Sequence, residues 1–481
     1  MSGQSVTLVG GGLGGALLAA YLGREGLEVD LYERRPDPLA GNFTAGGRSI
    51  NLAISVRGLH ALAEIGLEQP VLDIAVPMRG RVLHLPDGSQ AFQPYDKDPT
   101  RCIHSVSRGG LNTITLEAAR ALPNVRVHFD RRCVEVDLDR PAAEFVRGGD
   151  ESRTERVESR VMIGVDGAYS VVRRALQRTE RFDYSQQYLG HGYKELTIPP
   201  DPRGQHAMRR DALHIWPRRS YMMIALPNPD GSFTCTLFFP FVGPLSFDTA
   251  RSGADARRLF EAQFADALPL MPTLTQDFEN NPTGSMVTVR SRPWRYRDRV
   301  ALLGDAAHAV VPFYGQGMNA AFEDVVALRD AIRAHHEDWG RVFDAYESAR
   351  RENVNALADL ALNNFVEMRD HTGSRHFRMH KRLERALHGL LPGWYTPLYT
   401  LVSFSRTPYA EAVRRARAQD ATVSAAVGAV TLLLSGLLIV LPPPSVALLG
   451  TLLLAAAFVA FWRLLVAYQP PRTIAPPSAA E

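Results

Sequence analysis

Residues 6–33 read VTLVGGGLGGALLAAYLGREGLEVDLYE, and the order of features in that stretch decides the fold. Val6–Val9 is a short apolar run with the length and composition of a buried strand, and it passes directly into Gly10-Gly11-Gly12-Leu13-Gly14-Gly15. The glycines at 10, 12 and 15 satisfy G-x-G-x-x-G. A helical run follows over Ala16–Arg24, then a second strand over Glu28–Tyr32 that ends in Glu33. Glycine lets the chain turn tightly, lets backbone approach a pyrophosphate and lets helix pack on strand, while an acid some 20 residues on bonds a ribose hydroxyl. Strand, loop, helix, strand and acid in this order predict a Rossmann-like dinucleotide-binding α/β unit. Gly10, Gly12, Leu13 and Gly15 are its candidate pyrophosphate contacts, with Glu33, Arg34 and Arg35 beside the ribose.

Two further stretches repeat the strand-to-turn-to-helix pattern. Val161–Arg174, VMIGVDGAYSVVRR, is an apolar strand that stops at Gly164, with Asp166-Gly167 in the turn. Ala301–Val325, ALLGDAAHAVVPFYGQGMNAAFEDV, runs from a buried strand through Gly304-Asp305 into a loop holding Pro312, Gly315 and Gly317, and a helix begins near Met318. A helix N-terminus after a small-residue turn offers free N–H groups and a positive dipole end, which suit a phosphate or an anionic ring edge. Asp305 suits a sugar hydroxyl instead. A Gly-rich loop, a mid-chain DG turn and a late GD loop, in that order, resemble the aromatic-hydroxylase class of FAD monooxygenases. The resemblance implies one tightly held FAD contacted also by Asp166, Asp305, Gly317, Met318 and Asn319. There is no second G-x-G-x-x-G, so NADPH is expected to visit and leave rather than occupy a domain of its own.

The stretch GRSINLAISVRG at 47–58 narrows the resemblance, together with RGRVLH at 79–84, HSVSRGGLN at 104–112, HGYKELTIPP at 191–200 and PFYGQGMNAAFED at 312–324. In combination they resemble the kynurenine 3-monooxygenase family over most of the first 400 residues. The resemblance adds Ala53 and Arg108 to the cofactor contacts. It implies 3-hydroxylation of L-kynurenine in tryptophan catabolism and pyridine-nucleotide biosynthesis. NADPH would reduce FAD, O2 would add to give a flavin C4a-hydroperoxide, and the arene would take the distal oxygen. The ring amine already activates the substrate, so no catalytic base is demanded and His308 is assigned none. Kynurenine needs a cation for its carboxylate, adjacent donors and apolar walls for its ring. By resemblance Arg81 is the cation and Tyr95, Asn364 and Tyr399 are the donors. Phe238, Pro312, Phe313 and Met368 are ring contacts, and Gln316 lies near the ketone or flavin edge. Tyr314 receives no role.

The expected organisation is a discontinuous FAD-binding domain over 1–77, 96–181 and 290–335, with a mixed or antiparallel β-sheet substrate domain over 78–95 and 182–289. C-terminal helices follow over 336–420, then a transmembrane helical hairpin over 421–468 and a disordered tail over 469–481. Ala421–Leu441 is 21 residues without a charge, Pro442–Pro444 interrupts it, and Val446–Trp462 supplies 17 more. About 20 residues cross a bilayer. Arg414, Arg415 and Arg417 precede the pair and Arg463 and Arg472 close it, so the positive-inside rule places the catalytic portion on the cytoplasmic side. A buried helical pair at an oligomer interface is the competing reading of the same segment, and no feature sets an oligomeric state. No signal peptide is expected, because the first strand begins about five residues in without a basic n-region. The formal charge of +3, from 54 basic and 51 acidic residues, and the absence of a basic tract with interleaved aromatics argue against nucleic acid. Cys102, Cys133 and Cys235 are isolated and the histidines show no zinc spacing, so no metal site is expected. A ring hydroxylase for a lipid-soluble phenol is the alternative within enzymes, and a flavin-binding sensor without turnover the alternative outside them.

Overall fold

The computed structural model describes residues 5–40, 51–98, 100–368, 375–440 and 444–465. The apolar runs at the ends of the chain's first 300 residues meet in one sheet. Its six strands are ordered Arg295–Tyr296, Val300–Leu302, Val161–Gly164, Ser5–Val9, Glu28–Tyr32 and Val125–His128, parallel except for the first pair. Val6, Leu8, Val29, Leu31, Val161 and Ile163 are fully buried, as expected for strands covered on both faces. Helices Leu13–Arg24 and Gly317–His335 pack on this sheet's core. Because Val161–Gly164 and Val300–Leu302 are successive neighbours of Ser5–Val9, three loops more than a hundred residues apart in sequence leave the same sheet edge side by side. Open parallel sheets bind ligands at that carboxyl edge.

A second, seven-stranded sheet is ordered Gly284–Arg292, Asp183–Ile198, Phe233–Pro240, Met222–Pro227, Ala212–Pro217, Gly80–His84 and Gln90–Pro94. It is antiparallel except where Ala212–Pro217 runs parallel to Gly80–His84. The strand pair from 80–94 is therefore inserted at the edge of a sheet built from a later part of the chain. One face carries helices Gly253–Gln263 and Leu274–Asn280 over Trp216, Phe233 and Phe239. The other face sets Phe238 against Phe313, Phe365 and Met368. Helix Gly253–Gln263, which strand-like runs in its neighbourhood concealed in the sequence, is announced by a capping box between Ser252 and Asp255. An antiparallel meander, Arg131–Asp137, Ala142–Arg147 and Asp150–Glu158, packed on the nucleotide-binding unit through Phe145, was likewise not distinguished from it.

The C-terminal third is helical: Trp339–Val366, Arg375–Leu390, Leu398–Ser403, Tyr409–Val440 and Pro444–Leu465. Of the expected apolar helical pair, one helix of membrane-spanning length is present among the described residues. The first apolar helix starts at Tyr409 rather than after Asp420, and Tyr409–Leu437 alone is long and apolar enough to cross a membrane among the described residues, the second apolar stretch being the shorter Leu448–Phe461. The two helices do pack, since a Cβ at Gly428 would stand 3.2 Å from the Phe458 ring. The tail from 469 and the GRSI part of the 47–58 stretch lie outside the described residues.

Candidate functional site

The glycine loop shows why each glycine is there. Gly10 has φ +110°, and a Cβ on it would stand 2.5 Å from the Val165 carbonyl oxygen of the neighbouring DG turn. A Cβ on Gly15 would overlap the Gly10 carbonyl oxygen, whereas one on Gly12 would project into open space. Gly12 is the N-cap of helix Leu13–Arg24 and supplies no side-chain cap. Its free N–H groups and dipole therefore face that open volume. Glu33 accepts from the Gly11 N–H at 2.7 Å and from the Arg35 Nε at 2.8 Å. Burial pushes the Glu33 carboxyl up, but the Arg35 guanidinium and the amides of Arg35 and Gly11 outweigh it and hold the group below the usual value. Arg34 is exposed beside it.

A lowered folded-state value means that this stabilisation is complete above the ordinary glutamate range and is lost as pH falls through it. Unfolding of the cofactor-free chain should therefore steepen with acid below about pH 4.3. Glu33→Gln should remove part of that dependence and cost about 1–3 kcal/mol at neutral pH, read by urea unfolding at neutral and acid pH.

In the DG turn, Asp166 Oδ2 accepts from the Val171 N–H at 2.6 Å, while its Oδ1 is buried without a partner among the described residues. Arg173 ties this turn to the GD loop by donating to the carbonyls of Ala168 and Ala306. Asp305 is exposed on the cleft and makes no hydrogen bond among the described residues, with the exposed Arg108 close enough to act on its charge. Gly315 is left-handed at φ +65°, and helix Gly317–His335 opens without a side-chain cap. Met318 is half-buried beside it. Asn319 is fully buried, with Nδ2 donating to the carbonyls of Ala53 and Gly315 at 2.9 Å and Oδ1 accepting from the Ser55 N–H. Its side chain braces strand Asn51–Ile54 against the loop. Two uncapped helix N-termini, an open glycine cradle, an orphaned Asp166 oxygen and an unengaged Asp305 carboxylate converge at one sheet edge. That donor and acceptor set fits FAD.

Beyond this edge lies a cavity of about 510 Å3 between the seven-stranded sheet and the C-terminal helices. Arg81, Tyr95, Asn364 and Tyr399 all line it. The Arg81 guanidinium carbon stands 5.5 Å from the Tyr95 ring centroid and 5.0 Å from that of Tyr399, and no carboxylate lies within ion-pair distance of it among the described residues. The Tyr95 hydroxyl is buried without a hydrogen-bond partner among the described residues. The two tyrosines stack at 5.4 Å. Phe238, Phe313 and Met368 gather with Phe365 in one apolar cluster, and Phe313 stacks on Phe365 at 4.3 Å. Pro312 opens the short turn Pro312–Tyr314 and is exposed.

Two expected contacts sit differently. Gln316 is buried, and its Oε1 accepts from the Ser55 and Tyr409 hydroxyls, both at 3.3 Å, which ties that oxygen to the interior and the C-terminal helix. Asn364 shares a helix face with Met368, as its spacing implied, but its Nδ2 already donates to the Phe313 carbonyl at 2.6 Å. Sequence reasoning missed Tyr314, 5.8 Å from Tyr399, and Lys381 and Glu384, which pair at 2.9 Å on the cavity wall. Their i, i+3 spacing on an amphipathic helix was the available signal. His308, assigned no base role, is bound at 2.6 Å to buried Asp324, which Arg350 pairs from its other side.

The profile of the family described as FAD binding domain matches residues 4–361. Solved structures of similar fold include 2-methyl-3-hydroxypyridine-5-carboxylic acid oxygenase, 19% identical with a TM-score of 0.63 over 78% of this chain and 95% of that one. p-Nitrophenol 4-monooxygenase from Pseudomonas putida aligns with a TM-score of 0.62 at 20% identity over 80% of this chain and 94% of that one. The family match and the fold thus define an FAD-binding protein with the fold of the aromatic hydroxylases. Within that class the chain is 48% identical over 421 residues to kynurenine 3-monooxygenase of Myxococcus xanthus, covering 88% of this chain and 90% of the relative. It is 44% identical to that of Dictyostelium discoideum, covering 85% and 90%. The chain belongs to the kynurenine 3-monooxygenase family.

Proposed function

We propose that this chain hydroxylates L-kynurenine to 3-hydroxykynurenine with NADPH and O2, and that the cavity beside Arg81 is where kynurenine sits. The carrying observation is a guanidinium with no carboxylate partner among the described residues, next to a buried, unpartnered Tyr95 hydroxyl, at one end of a cavity walled by Tyr314 and Tyr399. Arg81 takes the carboxylate in a bidentate pair, and the hydroxyls of Tyr95 and Tyr399 donate beside it. Phe238, Phe313 and Met368 form the apolar wall, with Asn364 holding the Phe313 backbone in place. FAD, when bound along Gly10, Gly12, Gly15, Glu33, Asp305 and the N-terminus of helix Gly317–His335, supplies the redox and oxygen-transfer chemistry. The chain orients the arene and keeps water away from it. Residues 78–95 and 182–289 serve as the substrate domain and the parallel sheet as the cofactor domain.

Helix Tyr409–Leu437 tethers the chain to a bilayer with Pro444–Leu465 beside it, and the arginines at 414, 415 and 417 keep the catalytic portion cytoplasmic. Mixing the purified protein with kynurenine, NADPH and air should yield 3-hydroxykynurenine. Substrate-independent NADPH oxidation without that product would overturn the assignment. Tyr399 closes the Arg81 end of the cavity, so Tyr399→Phe is expected to raise peroxide released per NADPH and weaken kynurenine binding several-fold. Unchanged values of both would remove Tyr399 from the pocket's function.

A further inference from the structure

Helix Arg375–Leu390 presents three faces. His380, Lys381, Glu384 and Arg385 line the cavity. Leu383 and Leu387 pack with Val423 and Val427 of the long apolar helix and Phe461 of its neighbour. The remaining face carries Met379, 57% exposed, with exposed Arg382 and, at its end, Leu390 at 76%. Trp394 follows at 46% exposure. Arg382 makes no hydrogen bond or ion pair among the described residues.

The level of this helix is fixed by what it packs against. At 1.5 Å of rise per residue, Val423 and Val427 lie within about 10 Å of Asp420, where the charge-free run begins. Leu432, Leu433 and Leu437, deeper in the run, are 75%, 74% and 54% exposed and need a hydrocarbon phase. Helix Arg375–Leu390 therefore flanks the hairpin where it would leave hydrocarbon. A cation set among apolar residues and a tryptophan at that depth matches a headgroup layer, the cation adding attraction to anionic lipid.

We propose that helix Arg375–Leu390 and Trp394 rest in the headgroup layer of an anionic bilayer, so that the lipid surface supports one wall of the kynurenine cavity. The proposal rests on the bilayer reading above. It is tested on full-length holoenzyme carrying Trp462→Phe, in vesicles of phosphatidylcholine alone or mixed with phosphatidylglycerol. Trp216, Trp294 and Trp339 are at most 1% exposed, so Trp394 is the tryptophan that lipid-borne quenchers reach. The expected result is flotation with vesicles, several-fold stronger quenching by a headgroup label than by an acyl-end label, and a lower kynurenine KM in the anionic mixture. Arg382→Glu should cancel the benefit of anionic lipid, since each cation near such a surface contributes about fivefold. Flotation with Trp394 untouched by the headgroup label would overturn the proposal and leave the hairpin reading standing, as would Trp394 shielded in a dimer. Failure to float would remove the bilayer reading and this proposal with it.

Discussion

Arg81→Ala is expected to raise the KM for kynurenine by about 30-fold to several thousand-fold with a smaller change in kcat, corresponding to roughly 2–5 kcal/mol for truncating one partner of a buried charge pair. The size follows from position. Arg81 faces the cavity from the strand Gly80–His84, flanked by the Tyr95 and Tyr399 rings, and no carboxylate stands within ion-pair distance among the described residues. Enclosure disfavours its charge, and the two tyrosines and Glu367 more than restore it. Arg81→Lys keeps the charge but loses the two-pronged geometry, so an intermediate KM is expected. Steady-state kinetics at saturating NADPH decide it, and a wild-type KM in Arg81→Ala would remove the carboxylate assignment.

Gly15→Val is expected to abolish FAD retention altogether. Even a single Cβ at this position overlaps the Gly10 carbonyl oxygen. The strand-to-helix turn must then open, and Gly10 is itself held in a left-handed conformation against Val165. Both the pyrophosphate cradle and the seam with the DG turn are lost. Overpacking of this kind costs several kcal/mol and destroys the backbone geometry an anion needs. The measurement is flavin absorbance of the purified chain, with circular dichroism to separate loss of cofactor from loss of fold. Gly12→Ala is the companion variant. Its Cβ meets no protein atom, so the chain should fold normally and yet bind FAD more weakly. Normal flavin content in both variants would show that the loop does not hold the pyrophosphate.

The site was unevenly legible. Elements whose chemistry depends on backbone alone could be read locally: Gly10, Gly12 and Gly15 around a tight turn, and Gly304, Gly315 and Gly317 ahead of a helix. Side chains whose role depends on direction could not. Gln316 sits in the middle of the loop that shapes the site, and only the fold shows that its amide oxygen is held by Ser55 and Tyr409, residues distant in sequence. Asn364 lies four residues from Met368 as its helical spacing required, but only the fold shows that its donor is engaged by the Phe313 carbonyl. Lys381 and Glu384 could be read as an i, i+3 pair on an amphipathic helix, but nothing local says that this helix covers the cavity.

By itself the chain of residues determined that three strand-turn-helix units exist, that one of them is built for a dinucleotide, and that an apolar segment of membrane length lies near the C-terminus. These follow from hydrophobic period and from glycine at positions where a side chain would collide. Tertiary structure alone decided that strands Ser5–Val9, Val161–Gly164 and Val300–Leu302 are neighbours and that Gly80–His84 joins a sheet from residues more than 100 positions later. It also decided that Tyr95, Tyr314 and Tyr399 meet over Arg81. Such long-range pairings are set by the burial of whole sheet faces, a property of the packed assembly that no local stretch encodes.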